Sequence, residues 1–160
     1  MNKSVDRVQP ASRRNSAPPL RPWRWWGLAL AWMGLIYYFS SQSSFAILDH
    51  VWQPSLLSIA AHFTEYAVLA VLLWMALRNT TSVARLATPI AFVLAVLYAI
   101  SDEWHQAFVP GRHPAVEDVL VDAVGALTAL LLARTLLARS AGKKSDRAGV
   151  SAGVPRQDTL

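Results

Sequence analysis

The residues able to do chemistry are concentrated in one stretch, Ser101-Asp102-Glu103-Trp104-His105-Gln106-Ala107-Phe108-Val109-Pro110-Gly111-Arg112. Two carboxylates, an imidazole, an amide and a guanidinium stand within a dozen residues, with an apolar run on either side. Carboxylates and histidine are common general bases and proton carriers. Arginine is permanently charged and can fork two donors onto a carboxylate or a phosphate. Asp102 and Glu103 are therefore candidate bases, His105 a candidate proton carrier, Gln106 a ligand contact, and Arg112 the group to hold an anionic headgroup. On a helix Asp102, His105 and Gln106 share a face, whereas Glu103 points elsewhere and can meet Gln106 or His105. The competing reading of Arg112 is an ion pair with Glu103 or Asp118 inside the loop.

Two further polar groups lie inside apolar runs. His62, Glu65 and Tyr66 fall at i, i+3, i+4, on one helical face. Counted from Leu56 at ~1.5 Å per residue, they lie roughly 9 to 15 Å below the end of that helix. A charged side chain at the centre of a bilayer costs at least about 2.5–3.5 kcal/mol, so Glu65 is expected to face the bundle interior and find a partner. Polar glue between helices and a catalytic or binding role both fit His62 and Glu65. Asp118, Asp122 and Gly125 recur at i, i+4, i+7 on a second helix, where the glycine lets another helix approach closely. Glu117 and Asp118, just after Pro114, also suit the positive end of a helix dipole, but Asp122 lies too far in for that explanation. His62 and Glu65 join the candidate catalytic set; Tyr66, Asp118 and Asp122 join the candidate ligand contacts. A divalent ion could draw N and O donors from His62, Glu65, Asp102, His105 and Asp122. No spacing typical of a metal motif is present, so neither a metal nor another cofactor is assigned.

These groups must be positioned by membrane helices. The 160 residues fit one domain, and 54% hydrophobic against 16% charged residues, with a mean hydropathy of +0.30, is too apolar for an ordinary soluble protein. Residues 23–40 form a first apolar run with aromatic residues at both ends, as the interfacial belts of a spanning helix require. A cleaved signal peptide is the competing reading, weakened by the length of the run and its aromatic exit. Residues 41–55 place Phe45, Leu48 and Trp52 near one face and end at Pro54, which predicts a short interfacial helix. Further runs cover 56–77, 86–100 (continuing as helix until Pro110-Gly111) and 115–137. The expected fold is an all-α polytopic bundle of four transmembrane helices and one interfacial segment. The domain covers 23–138, between disordered cytoplasmic tails at 1–22 and 139–160.

The charges orient this bundle. Of 15 Lys and Arg residues, only Arg112 lies in the two loops on the side opposite the termini. Such a bias places both termini in the cytoplasm. It also argues against nucleic acid as a partner, because the basic residues are split among separate flanks. Every histidine (His50, His62, His105, His113) then falls in the outer half, together with Asp49, Glu65, Asp102, Glu103, Glu117, Asp118 and Asp122. The chain has no cysteine, which excludes disulfides and thiolate metal sites.

The ordered set of motifs resembles the VanZ-like family. It consists of Tyr-Tyr-Phe-Ser-Ser-Gln closing the first span, His-x-x-Glu-Tyr in the second, then Ser-Asp-Glu-x-His-Gln with Pro-Gly-Arg, and Asp118 with Asp122 and Gly125. The likeness covers roughly residues 28 to 135. Where that family often has Asn in the fourth span, this chain has Asp122, which adds a charge. The resemblance implies a small multi-pass protein of the bacterial inner membrane with a cell-envelope connection. The founding member is associated with low-level resistance to teicoplanin, so a link to glycopeptide susceptibility is implied as well.

The outer polar cluster is accordingly expected to bind or process an anionic envelope lipid or glycolipid, with the lipid bilayer as surroundings. The alternative is a non-enzymatic scaffold or partner-binding protein whose polar cluster is structural. A proton-coupled transporter is a third reading, poorly matched by four spans without an inverted repeat.

Overall fold

The computed structural model describes residues 22–42, 54–80, 83–112 and 114–152. Among these are four α-helices, a single 3₁₀ turn and no strand. Helix α1 spans Pro22–Ser40, α2 Pro54–Arg78, α3 Ala87–Gln106 and α4 Val116–Ala152, with the 3₁₀ turn Ala84–Leu86 leading into α3. The helices begin and end where the chemistry dictates. Pro22 and Pro54 open α1 and α2, and Pro89 sits in the first turn of α3, where a missing N–H leaves no bond unmade. Arg78 closes α2, a cation at the negative end of the dipole. Beyond α3 the Arg112 N–H donates to the Val109 carbonyl at 3.1 Å, and Gly111 takes φ +81°. That is a turn with Pro at its second position and a left-handed residue at its third, the combination Pro-Gly provides.

Among the described residues three helices are long and apolar enough to cross a membrane: Leu56–Arg78, Ala84–Gln106 and Val116–Lys143. The fourth expected span corresponds to α1, which is not one of these three. It is nevertheless built into the bundle. Trp32 Nε1 on α1 donates to the Glu65 carbonyl at 2.9 Å, and the Tyr98 hydroxyl on α3 donates to the Met33 carbonyl at 2.7 Å. The expected interfacial segment at 41–55 falls mainly outside the described residues. Helix α4 continues past residue 138, to Ala152. No apolar stripe drives that extension, and residues 139–143 are exposed.

The burial pattern suits lipid surroundings. Large aliphatic side chains such as Leu97, Ile100, Leu120, Leu131 and Leu136 point outward, while the interior of α3 is a stripe of alanines at i+4 spacing: Ala87, Ala91, Ala95 and Ala99. Small residues on the inner face let helices approach closely where apolar burial from water offers no drive. Ala29 and Ile36 of α1, Tyr66, Leu69, Leu73 and Trp74 of α2 and Ala126 and Leu130 of α4 belong to the same core.

Candidate functional site

At one end of the bundle the inward stripes change from apolar to ionisable. On α3 the stripe of alanines ends at Ala99 and is continued by buried Asp102, Glu103 and Gln106. On α2 the residues above Tyr66 and Leu69 include buried His62, and on α4 those above Ala126 and Leu130 are Gly125, Asp122 and Asp118. The site is thus the continuation of the core at that end, assembled by α2, α3 and α4.

His62 is its centre. Its Nδ1 lies 3.2 Å from Asp122 Oδ1, and its Nε2 lies 4.0 Å from Asp118 Oδ2. With Asp122 ionised its carboxylate only accepts, so Nδ1 is then the donor, and the ring is presented with Nε2 toward Asp118. The Asp122 residue is 1% exposed, whereas the Asp118 side chain is 25% exposed and opens the cluster at that end. The close approach that lets a short aspartate reach His62 depends on Gly125. A Cβ there would collide with the Phe63 carbonyl oxygen of α2.

Glu103 joins this group from α3. One donor atom each from His62, Glu103 and Asp118 lie within 4.8 Å of one another. Glu103 Oε2 accepts the Ala115 N–H at 3.0 Å, so the side chain also caps the start of α4. The sequence expectation that Glu103 points away from Asp102 and meets Gln106 or His105 is corrected here. The end of α3 is enclosed by both α2 and α4, so two adjacent residues on it are buried together. Gln106 instead donates to Asp102 Oδ2 at 3.2 Å. Asp102 is in electrostatic range of Glu65, Tyr66, Glu103 and Asp122. Glu65 is half-buried, and its carboxylate makes no hydrogen bond or ion pair among the described residues, although it too is in electrostatic range of His62.

Four buried side-chain atoms among the described residues have no hydrogen-bond partner, and three belong to this cluster: Tyr66 Oη, Asp102 Oδ1 and Glu103 Oε1. Ordinary interiors leave few such groups, because each forfeits its solvation without recompense.

His105 and Arg112 lie in a second group, against the end of α1. The His105 ring stacks on Tyr37 with centroids 4.5 Å apart, and its Nε2 is 3.1 Å from Ser41 Oγ. Arg112 Nε donates to the Gln42 carbonyl at 3.1 Å and Nη2 to the Phe39 carbonyl at 3.0 Å. The ion pair with Glu103 or Asp118, the competing reading of Arg112, is not made among the described residues, because the Val109–Arg112 turn aims the guanidinium at α1. A cation at the last carbonyls of a helix suits its dipole. The sequence points to neither partner, since the Tyr37-to-Gln42 stretch lies some seventy residues away.

The fold and this site define an all-helical protein with three helices long and apolar enough to cross a membrane and a buried acid–histidine cluster at one end. The chain belongs to the VanZ/LLP1 family, whose model matches residues 25–138. Neither a curated protein nor a solved structure matches it.

Proposed function

We propose that this chain is a four-span protein of the bacterial inner membrane with both termini in the cytoplasm. Its outward-facing acid–histidine cluster binds or processes the headgroup of a cell-envelope lipid or glycolipid. The observation that carries this reading is the set of unpartnered buried acceptors, Asp102 Oδ1 and Glu103 Oε1. A cluster that served only as glue would be expected to satisfy its own members. Acceptors without donors call for a ligand rich in hydroxyl or amino groups, which a glycolipid headgroup presents. An anionic group on the same ligand would meet Arg112, whose Nη1 makes no bond among the described residues.

The sidedness follows from the charge split, and α1 supplies the fourth span. At ~1.5 Å per residue its 19 residues extend roughly 28 Å, close to the hydrocarbon thickness of a bilayer. A groove of about 350 Å³ runs along α2 and α4, lined by Phe63, Thr64, Ala67, Val68, Leu72 and Ala129 among others. It begins one residue from His62 and is almost wholly apolar, which suits the acyl chain of a lipid whose headgroup lies at the cluster. In a processing reaction Asp102 or Glu103 is the base and His62 the proton carrier. The family link carries the expectation that the chain alters teicoplanin susceptibility of its host.

Purified protein, presented with total envelope lipid and examined by native mass spectrometry, is expected to retain a glycolipid. Retention of bulk phospholipid alone would overturn this reading in favour of a structural scaffold.

A further inference from the structure

We infer that His62, Glu103 and Asp118 form a site for one divalent transition-metal ion, with Asp122 as the carboxylate that positions the histidine. The three donors come from three helices and lie within 4.8 Å of one another. Metal bonds of ~2.0–2.2 Å set neighbouring ligand atoms roughly 3–4 Å apart, so small side-chain rotations close the set. Two carboxylates match the charge of a divalent ion, and a mixed nitrogen and oxygen donor set suits zinc or manganese.

Two observations independent of the cluster's charge point to a ligand. Glu103 is 6% exposed, and while its Oε2 holds the Ala115 N–H, its Oε1 has no partner. The free oxygen belongs to the very side chain that brings a donor atom to His62 and Asp118. The second is the histidine's orientation. Its Nδ1 is held by Asp122 at 3.2 Å, which leaves Nε2 facing Asp118. A carboxylate on the far nitrogen of a metal-binding histidine fixes the tautomer and raises the basicity of the ligating nitrogen. Asp122 is 1% exposed and bonded to His62, and this role accounts for its presence. Asp118, partly exposed, gives the ion its way in.

The site shares Glu103 Oε1 with the glycolipid reading but is tested apart from it, since ion binding is measured without lipid. The full chain, purified in detergent and stripped with a chelator, is titrated calorimetrically with Zn²⁺ and, in a parallel experiment, followed by electron paramagnetic resonance with Mn²⁺. One ion per chain is expected. Glu103→Gln and Asp118→Asn each weaken binding about 100-fold or more, beyond what an outer-shell contact supplies. Asp122→Asn weakens it about 10- to 100-fold, the loss typical of an outer-shell carboxylate. Glu117→Gln, an exposed neighbour, leaves it unchanged. The absence of saturable binding to the wild-type chain overturns the site, and so does several-ion binding that Glu103→Gln does not alter. Should Glu103→Gln fail to fold, the wild-type stoichiometry and the contrast of Asp118→Asn with Glu117→Gln decide. Ion binding without glycolipid retention removes only the glycolipid reading, and the reverse result removes only the metal.

Discussion

Gly125 of α4 and Phe63 of α2 stand so close that the glycine's absent side chain is filled by the phenylalanine's backbone carbonyl. Beside Phe63 on α2 and three residues before Gly125 on α4, His62 and Asp122 are joined at 3.2 Å. The two facts are linked. An aspartate has a short reach, and only a helix pair brought to near backbone contact lets it meet a histidine across the interface. The small residue below is the condition for the polar pair above.

Gly125→Ala is therefore expected to destabilise the protein, even though alanine is the better helix former. Its Cβ would strike a backbone carbonyl, which cannot rotate away as a side chain could. Overpacking of this kind costs typically about 1–3 kcal/mol. Gly34→Ala is the comparison, because a Cβ there meets nothing within 4 Å. Thermal unfolding in detergent should show a lower midpoint for Gly125→Ala and an unchanged or higher one for Gly34→Ala. Equal midpoints would contradict the close approach.

Arg112→Ala should loosen the end of α1 and leave α3 intact. The guanidinium bridges the Phe39 and Gln42 carbonyls, while the Ser41 and Gln42 amides bond back to Tyr37 and Phe39. Without the cation that last turn frays, so hydrogen exchange at Ser41 and Gln42 is expected to accelerate. Arg112→Lys keeps the charge but not the two-pronged donor, and should give an intermediate rate. Unaltered exchange in Arg112→Ala would remove the capping role.

The membrane helices were legible because apolar runs and turn residues carry them directly. His62–Asp122 and Asp102–Gln106 were legible in part, since polar residues at helical spacing inside apolar runs must face inward. What local spacing could not show is which helix encloses which face. Asp102 and Glu103 lie about 100° apart on α3, yet both are buried because α2 and α4 flank its end. Nor could it show that Arg112 and His105 belong with α1, since that contact is made by a turn and a distant backbone. Trp32 and Tyr98, which bind α1 to the bundle, gave no signal beyond their type. The alanine stripe of α3, regular at i+4 from Ala87 to Ala99, was there to be read as the closest-packed face.

Sidedness is tested by cysteine accessibility. Ala107 and Arg85 are both exposed and lie at opposite ends of α3. With both termini cytoplasmic, Ala107→Cys should react with an impermeant thiol reagent in intact cells, and Arg85→Cys only after lysis. The chain has no cysteine of its own to confuse the result. The reverse pattern would put the acid–histidine cluster on the cytoplasmic side and end its connection with outer envelope lipids.

Charge itself separates a working site from polar glue. Asp102→Asn still offers an oxygen to the Gln106 amide, and Glu103→Gln still offers one to the Ala115 N–H. Both amides are nearly isosteric with the acids, so the bonds that hold α3 to its neighbours survive. Interhelical polar contacts in membranes are worth only about 0.6–2 kcal/mol each, and part of that is kept. Both variants are therefore expected to accumulate in the membrane at the wild-type level. A base or a cation ligand, by contrast, needs the carboxylate, and its oxygens facing no partner are the atoms an amide would alter. Glycolipid retention by the purified protein, and any change in teicoplanin susceptibility that the wild-type chain confers, should be lost in both variants. If retention and susceptibility stay at wild-type values in both, the cluster is structural, and the scaffold reading replaces the site.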